Sequence, residues 1–190
     1  MFIQTETTPN PQTLKFLPGR DVLGVGSRDF VSADAASGSP LAAALFAIDG
    51  VERVYLGGDF LTVTKAVAIE WPHIKPHLLA AIMDHYTSGR PVVGEVASES
   101  ADEAEIVYEG EAAEIVREIK EIIEARVRPA VAQDGGDITF HSWDQEEGVV
   151  RLNMRGACAG CPSSTMTLKS GIENMLRHYI PEVNRVEQVM

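Results

Sequence analysis

Cysteine is nearly missing from this chain: 190 residues contain two, Cys158 and Cys161, separated by only two others. Two cysteines this close cannot staple a fold, so a secreted disulfide scaffold is ruled out and a reducing, cytoplasm-like compartment is expected. Basic residues are also scarce. Sixteen Lys and Arg stand against 28 Asp and Glu, a net charge of −12, which argues against nucleic acid as a partner because binding it needs a basic surface to displace counterions. No apolar run approaches the length of a membrane-spanning helix, so no membrane is expected either. The first residues lack both the apolar core of a signal peptide and the Arg-rich amphipathic pattern of a transit peptide. There is no Ser/His/Asp arrangement and no phosphate-binding Gly-rich loop, so the sequence does not read as an enzyme.

What is present divides into two parts. Residues 1–94 carry seven basic and nine acidic groups, and residues 111–190 carry nine and thirteen. Residues 95–110 carry six acidic groups and no basic one. Like charges on a Ser/Ala/Glu-rich stretch repel one another and bury little, so 95–110 reads as an acidic linker between two domains.

In the first half, residues 2–7 and 13–16 read as strands around the Pro9-Asn10-Pro11 turn. Ser39-Pro40 supplies an N-cap and first position for a short helix through Phe46. Residues 51–56 and 60–64 read as a hairpin across Gly57-Gly58-Asp59. A longer helix starts at Trp71-Pro72 and closes at Gly89. The expected fold is a small α/β sandwich. In the second half, Ala112, Ile115, Val116, Ile119, Ile122, Ile123 and Val127 form one apolar helical stripe, with Glu124 and Arg128 spaced for an ion pair. Pro129 kinks or ends that helix, and Asp134-Gly135-Gly136-Asp137 turns the chain. Strands at 138–143 and 149–154, a helix carrying Leu168, Ile172, Met175 and Leu176, and a strand at 183–189 complete an α-β-β-α-β unit. The fold class is therefore mixed α/β (α+β), in two small domains.

Chemistry concentrates in Gly156-Ala157-Cys158-Ala159-Gly160-Cys161-Pro162, between a strand and a helix. Cys-x-x-Cys lets both sulfurs face one metal ion or one cluster edge, yet a sulfur site usually wants four ligands. The loop is therefore half of a metal site, or a redox dithiol. Proximity to a helix N-terminus is expected to lower the thiol pKa, and the short Ala157 and Ala159 to leave the sulfurs uncovered. A two-fold dimer would supply four thiolates by symmetry, Cys158 and Cys161 from each protomer. A thioredoxin-like dithiol normally follows a βαβ start near the N-terminus, so the location near the C-terminus favours metal or cluster binding. Ligand counting does not separate [4Fe–4S] from [2Fe–2S], since both take four thiolates. A zinc-stapled interaction module is the third class.

Other candidates are weaker. The Asp134–Asp137 segment lacks the ligand count of a calcium loop and reads as a tight turn whose carboxylates satisfy backbone N–H groups. His73 and His77 have i, i+4 spacing but no acidic partner between them in the metalloprotease pattern. His85, His141 and His178 read as partly buried or structural, and Trp71 and Trp143 as core residues.

With its flanking Pro162-Ser163-Ser164, the cysteine loop resembles the cluster-binding loop of the Nfu family, iron–sulfur carriers built on a NifU C-terminal-like domain. Arg128-Pro129-Ala130 and Gln133 to Asp137 look like that domain's helix end and turn. Thr8-Pro9-Asn10-Pro11 through Leu14-Lys15-Phe16 looks like the opening of the Nfu N-terminal domain, so the resemblance covers nearly the whole chain except the linker. It implies a protein that accepts a [4Fe–4S] cluster from an upstream donor, holds it between two protomers through Cys158 and Cys161, and passes it to apo-proteins. Lipoyl synthase and respiratory-type iron–sulfur enzymes are the implied clients, with the N-terminal domain aiding recognition. The start of the sequence adds the expectation of a bacterial cytoplasmic protein, or a mitochondrial matrix protein whose leader has been removed.

Overall fold

A computed structural model describes residues 2–94, 106–159 and 162–189, apart from the side chains of 162–165. The acidic stretch 95–105 and Cys161 lie outside the described residues. The chain forms two compact units, Met1–Ala101 and Asp102–Met190, each a mixture of helix and sheet. No helix among the described residues is long and apolar enough to cross a membrane.

The first unit holds β1 (Gln4–Thr7), β2 (Thr13–Leu17), β3 (Arg28–Phe30), α1 (Pro40–Phe46), β4 (Val51–Leu56), β5 (Leu61–Lys65) and α2 (Trp71–Ser88). Its strands form one antiparallel sheet in the order β1-β2-β5-β4-β3. The turn between β1 and β2 is built by side chains: the Thr8 hydroxyl donates to the carbonyl oxygens of Asn10 and Thr13, and Asn10 Oδ1 accepts from the Gln12 N–H. Ser39 caps α1 as its sequence position suggests, accepting from the Ala42 N–H at 3.2 Å and donating to Val92 O at 2.6 Å. α2 ends at Gly89 in the left-handed conformation. Leu14, Phe16, Val54, Leu56, Leu61 and Val63 from the sheet meet Leu41, Leu45, Ile74, Leu78 and Ile82 from the helices in one core. At roughly 1.5–3 kcal/mol per fully buried large side chain, this face supplies the unit's stability.

β3 was not legible in the sequence. Residues 18–30 contain three Gly and two Asp and carry no period-2 pattern. The strand is held instead by tertiary contacts: its pairing with β4, the Asp29–Arg53 ion pair across the strands, and the N–H groups of Val22, Leu23 and Gly24, which donate to the Gly57 and Gly58 carbonyls.

The second unit holds α3 (Glu111–Ile122), a wide π-type turn (Ile123–Val127), α4 (Arg128–Gln133), β6 (Gly136–Asp144), β7 (Val149–Gly156), α5 (Pro162–Tyr179) and β8 (Arg185–Val189). The order α-β-β-α-β is the one expected. β6 and β7 form an antiparallel hairpin, and β8 returns through α5 to lie parallel to β7. Pro129 kinks the long helix and does not end it. Proline removes an N–H and its ring crowds the carbonyl four residues back; here the helix widens before it, so that the Arg128 N–H donates to Ile123 O five residues earlier, and helical backbone continues to Gln133. The apolar stripe therefore keeps facing the sheet, with Ile115, Val116, Ile119, Ile123, Val127 and Val131 packed on Ile138, Leu152, Met154, Ile172 and Leu176. On the same unit, Tyr108 accepts a 2.7 Å bond from the Trp143 N–H beside an irregularity in β6, and its ring meets Phe140 edge-on.

One buried group in the first unit is unfavourable. His85 of α2 is 1 % exposed, and neither ring nitrogen has a hydrogen-bond partner. Burial, the largest cause, and nearby Arg90 push its pKa below the ordinary 6.5, with Asp84 opposing. The unfolded chain therefore binds this proton more readily, and stability is lost as pH falls below about 6.5. His85→Leu is expected to stabilise the first unit by about 1 kcal/mol and to flatten that acid-side loss. Amide hydrogen exchange of α2 and β4 between pH 7 and pH 5 measures both; an unchanged pH slope in the variant would contradict the assignment.

Candidate functional site

β7 ends at Gly156, whose φ of 62° lets the strand turn abruptly. The Ala157 N–H then donates to Gly135 O at 3.1 Å, and the Ala159 N–H to Gly156 O at 3.1 Å. α5 starts at Pro162, whose missing N–H costs nothing at a first helical position. The cysteine loop thus lies directly against the Gly135-Gly136 turn that opens β6, where Gly136 pairs with Gly156. These two segments are twenty residues apart in sequence, and only the hairpin brings them together.

Cys158 is not uncovered. It is 6 % exposed and belongs to the core of the second unit, and Ala157 and Ala159 are buried with it. The shape of its seat explains one glycine: a Cβ on Gly136 would overlap the Cys158 Sγ and would stand 3.1 Å from Arg155 O and Cys158 N. Only a residue without a side chain admits the sulfur here. At Cys158 the expected low thiol pKa is likewise corrected. Burial pushes the Cys158 thiol up to about 12, and the carboxylates of Asp134 and Asp137 add to the shift. Helix-terminus stabilisation of a thiolate needs the sulfur at the helix mouth in contact with free N–H groups, whereas this sulfur is turned inward. Cys161, the second expected ligand, lies outside the described residues.

Asp137 turns out to be more than a turn residue. Its Oδ1 accepts from the Ile138 N–H, as the turn reading foresaw. Both of its oxygens also accept from the Arg128 guanidinium, Nε to Oδ1 at 2.8 Å and Nη2 to Oδ2 at 3.0 Å. The remaining edge of that guanidinium meets Glu124 at 2.8 and 2.9 Å, which is the i, i+4 pair anticipated on the helix. Hydrogen bonding to Asp137 is the largest reason that Arg128 is held charged beyond its ordinary range. The Arg128–Asp137 pair was missed because i, i+4 spacing reveals only helical partners. The available signal was Arg128 at a helix end and an acidic residue opening the next strand.

The remaining candidates scatter. His73 and His77 stand exposed on α2, and His178 is exposed with its ring edge-on to Tyr179 at a 5.1 Å centroid separation. Among the described residues no group of three or more His, Cys, Asp or Glu is placed to hold a metal ion. Trp143 is buried, and Trp71 is half-buried with its indole N–H donating to Pro11 O at 3.0 Å.

Comparison with known proteins places both units. Residues 3–89 match the model described as the scaffold protein Nfu/NifU N-terminal domain, and residues 119–187 match the NifU-like domain. "NifU-like protein 5, mitochondrial" of Arabidopsis thaliana is 52 % identical over 99 % of this chain and 68 % of its own length. "NFU1 iron-sulfur cluster scaffold homolog, mitochondrial" of Drosophila virilis is 53 % identical over all of this chain and 62 % of its own. The chain thus spans about two thirds of the length of such relatives. The solution structure of a NifU-like protein from Saccharomyces cerevisiae is 31 % identical over 50 % of this chain and 86 % of its own, at a TM-score of 0.46, an overlap too slight to add to the sequence match.

Burial of a thiol has two measurable consequences. Cys158→Ala is expected to cost about 1–2 kcal/mol through lost packing. The raised folded-state pKa also means that unfolding releases a proton above the ordinary thiol value of about 9, so Cys158 weakens the second unit as pH rises from about 9 towards 12. Denaturant titrations at pH 7.5 and 10 should show the variant's deficit shrinking at the higher pH. A constant deficit would mean that the thiol is not held neutral.

Proposed function

Because the chain belongs to the Nfu/NifU family of iron–sulfur scaffold proteins, we propose that it is a carrier that holds a [4Fe–4S] cluster between two protomers and passes it to apo-proteins. Cys158 and Cys161 of each protomer supply the four thiolates. The observation that carries this reading is the site of Cys158: a thiol seated against a side-chain-free Gly136, three residues before the second cysteine in the sequence. The cluster is cargo. Each thiol that takes an iron gives up its proton to solvent, so loading is favoured by higher pH and by the positive charge of the iron, which opposes the field of Asp134 and Asp137. A neutral, buried Cys158 suits a site that is filled and emptied, because the cluster-free chain is left with a stable thiol and not with a stranded thiolate.

Both relatives are named as mitochondrial, and the Drosophila one as an iron–sulfur cluster scaffold homolog, which supports a mitochondrial setting over the bacterial cytoplasm. An upstream donor supplies the cluster, and the clients are apo iron–sulfur proteins of the lipoyl synthase and respiratory type. The first unit, with no cysteine of its own, serves client recognition and not cluster binding.

The test is anaerobic reconstitution with iron and sulfide. Roughly four irons and four sulfides per dimer, a mass by size exclusion that doubles on loading, and transfer to an apo-acceptor are expected. Cys158→Ala and Cys161→Ala each abolish binding, and the initial loading rate of the unmutated protein rises by up to about tenfold per pH unit between pH 7 and 8.5. A colourless protein that takes only zinc, or that cycles a disulfide, would move it to another class. Two irons per dimer would keep the carrier but change its cargo to [2Fe–2S].

A further inference from the structure

The seat of Cys158 is made by the first residue of an edge strand, and edge-strand ends fray unless something ties them down. Gly136 has its backbone pairing to Gly156, and its neighbour Gly135 accepts from Ala157. What fastens this strand end to the helical layer is the next side chain. Asp137, almost wholly buried, takes two parallel hydrogen bonds from Arg128 of α4. A bidentate guanidinium–carboxylate pair fixes both distance and orientation, which a point charge does not. Arg128 is aimed in turn by Glu124 on its other edge and by the wide turn that places it at the head of α4.

We propose that the Arg128–Asp137 pair is the positioning device that holds Gly136 against the Cys158 sulfur, and so sets how far this thiol is sheltered in the cluster-free protein. Arg128 acts through Asp137 and the strand end. The sequence of contacts runs from the wide helical turn to Arg128, to Asp137, to Gly136, to Cys158. Weakening the pair frees the strand end, opens the space beside Gly136 and lets the sulfur swing outward. Adding a methyl at Gly136 forces the same movement directly. The two perturbations, made on different elements, should have the same effect on one sulfur. The relevance to cluster traffic rests on Cys158 being a ligand as proposed above, but the sheltering itself is a property of the cluster-free chain and is tested there.

The experiment uses the full chain with Cys161→Ser, so that Cys158 is the single thiol, and follows its reaction with an aromatic disulfide reagent at fixed pH, native and in guanidinium. The native protein should react at least about a hundredfold more slowly than the unfolded one, as expected for a core thiol reached only through opening. Arg128→Gln and Gly136→Ala should each raise the native rate about tenfold or more. Arg128→Lys, which keeps the charge but loses the fork, should fall between. Amide exchange read on the same samples separates positioning from bulk stability: faster exchange confined to the start of β6 and the end of β7 supports the device. Uniform acceleration through α5 and β8 would make the pair a general stabiliser and overturn the proposal, as would equal thiol rates in all variants. If Gly136→Ala does not fold, the Arg128 pair of variants decides alone. Because no iron is present, failure here leaves the carrier reading standing, and failure of reconstitution leaves this one standing.

Discussion

The forked pair between Arg128 and Asp137 joins the helical layer of the second unit to the sheet edge on which the cysteine loop rests. A buried ion pair is not in itself a strong source of stability, because desolvating two charges offsets most of their attraction. Its value here is geometric. Two hydrogen bonds of 2.8 and 3.0 Å leave the carboxylate one orientation, and the carboxylate is one residue from the glycine that makes room for the sulfur. Removing Arg128 takes the forked partner from a buried carboxylate that keeps only local bonds such as that from the Ile138 N–H, whereas removing Asp137 leaves Arg128 partly exposed and still paired with Glu124.

That geometry has an electrostatic consequence. The carboxylates that build the turn also face the thiol, and together with burial they keep Cys158 protonated at neutral pH. A redox dithiol depends on an exposed, easily ionised sulfur, and this site has neither property at Cys158. Metal chemistry reverses the balance, since a bound cation is the largest local charge and favours the thiolate that the empty site disfavours.

The two units divide their chemistry unevenly. The first is a sheet covered by α1 and α2, and its polar features mostly serve the fold: the Asp29–Arg53 pair ties β3 in place, and Lys65 sits over Trp71 and bonds Gln12. The His85 ring and the neighbouring Tyr86 hydroxyl, both without hydrogen-bond partners, are exceptions. The second unit carries both cysteines in its sequence and, next to the Gly136 seat of Cys158, the Arg128–Asp137 pair. A first unit without cysteine and a second with both thiols are consistent with recognition and cargo being handled separately.

Much of this was written in local pattern. The helical stripe of residues 112–127, the hairpin across Gly57-Gly58-Asp59, the Ser39 cap and the α-β-β-α-β order all follow from periodicity, turn chemistry and spacing, which act over a few residues and can be read off a linear chain. The family itself was legible in the cysteine loop and the Gly-Gly turn. Three features were not. β3 has no strand pattern and exists because β4 offers it an edge. Arg128 and Asp137 are nine residues apart on different elements, and only the widened turn before Pro129 aims one at the other. Cys158 looked open because alanines flank it, yet folding places the Gly135-Gly136 turn against it and turns its sulfur inward. The sequence by itself determined the order of the elements and the family, and pointed to the residues proposed to carry the chemistry, since composition and spacing are local. Whether the thiol is exposed or sheltered, charged or neutral, was decided by tertiary structure alone, because solvation and the field of distant carboxylates depend on what the fold brings near.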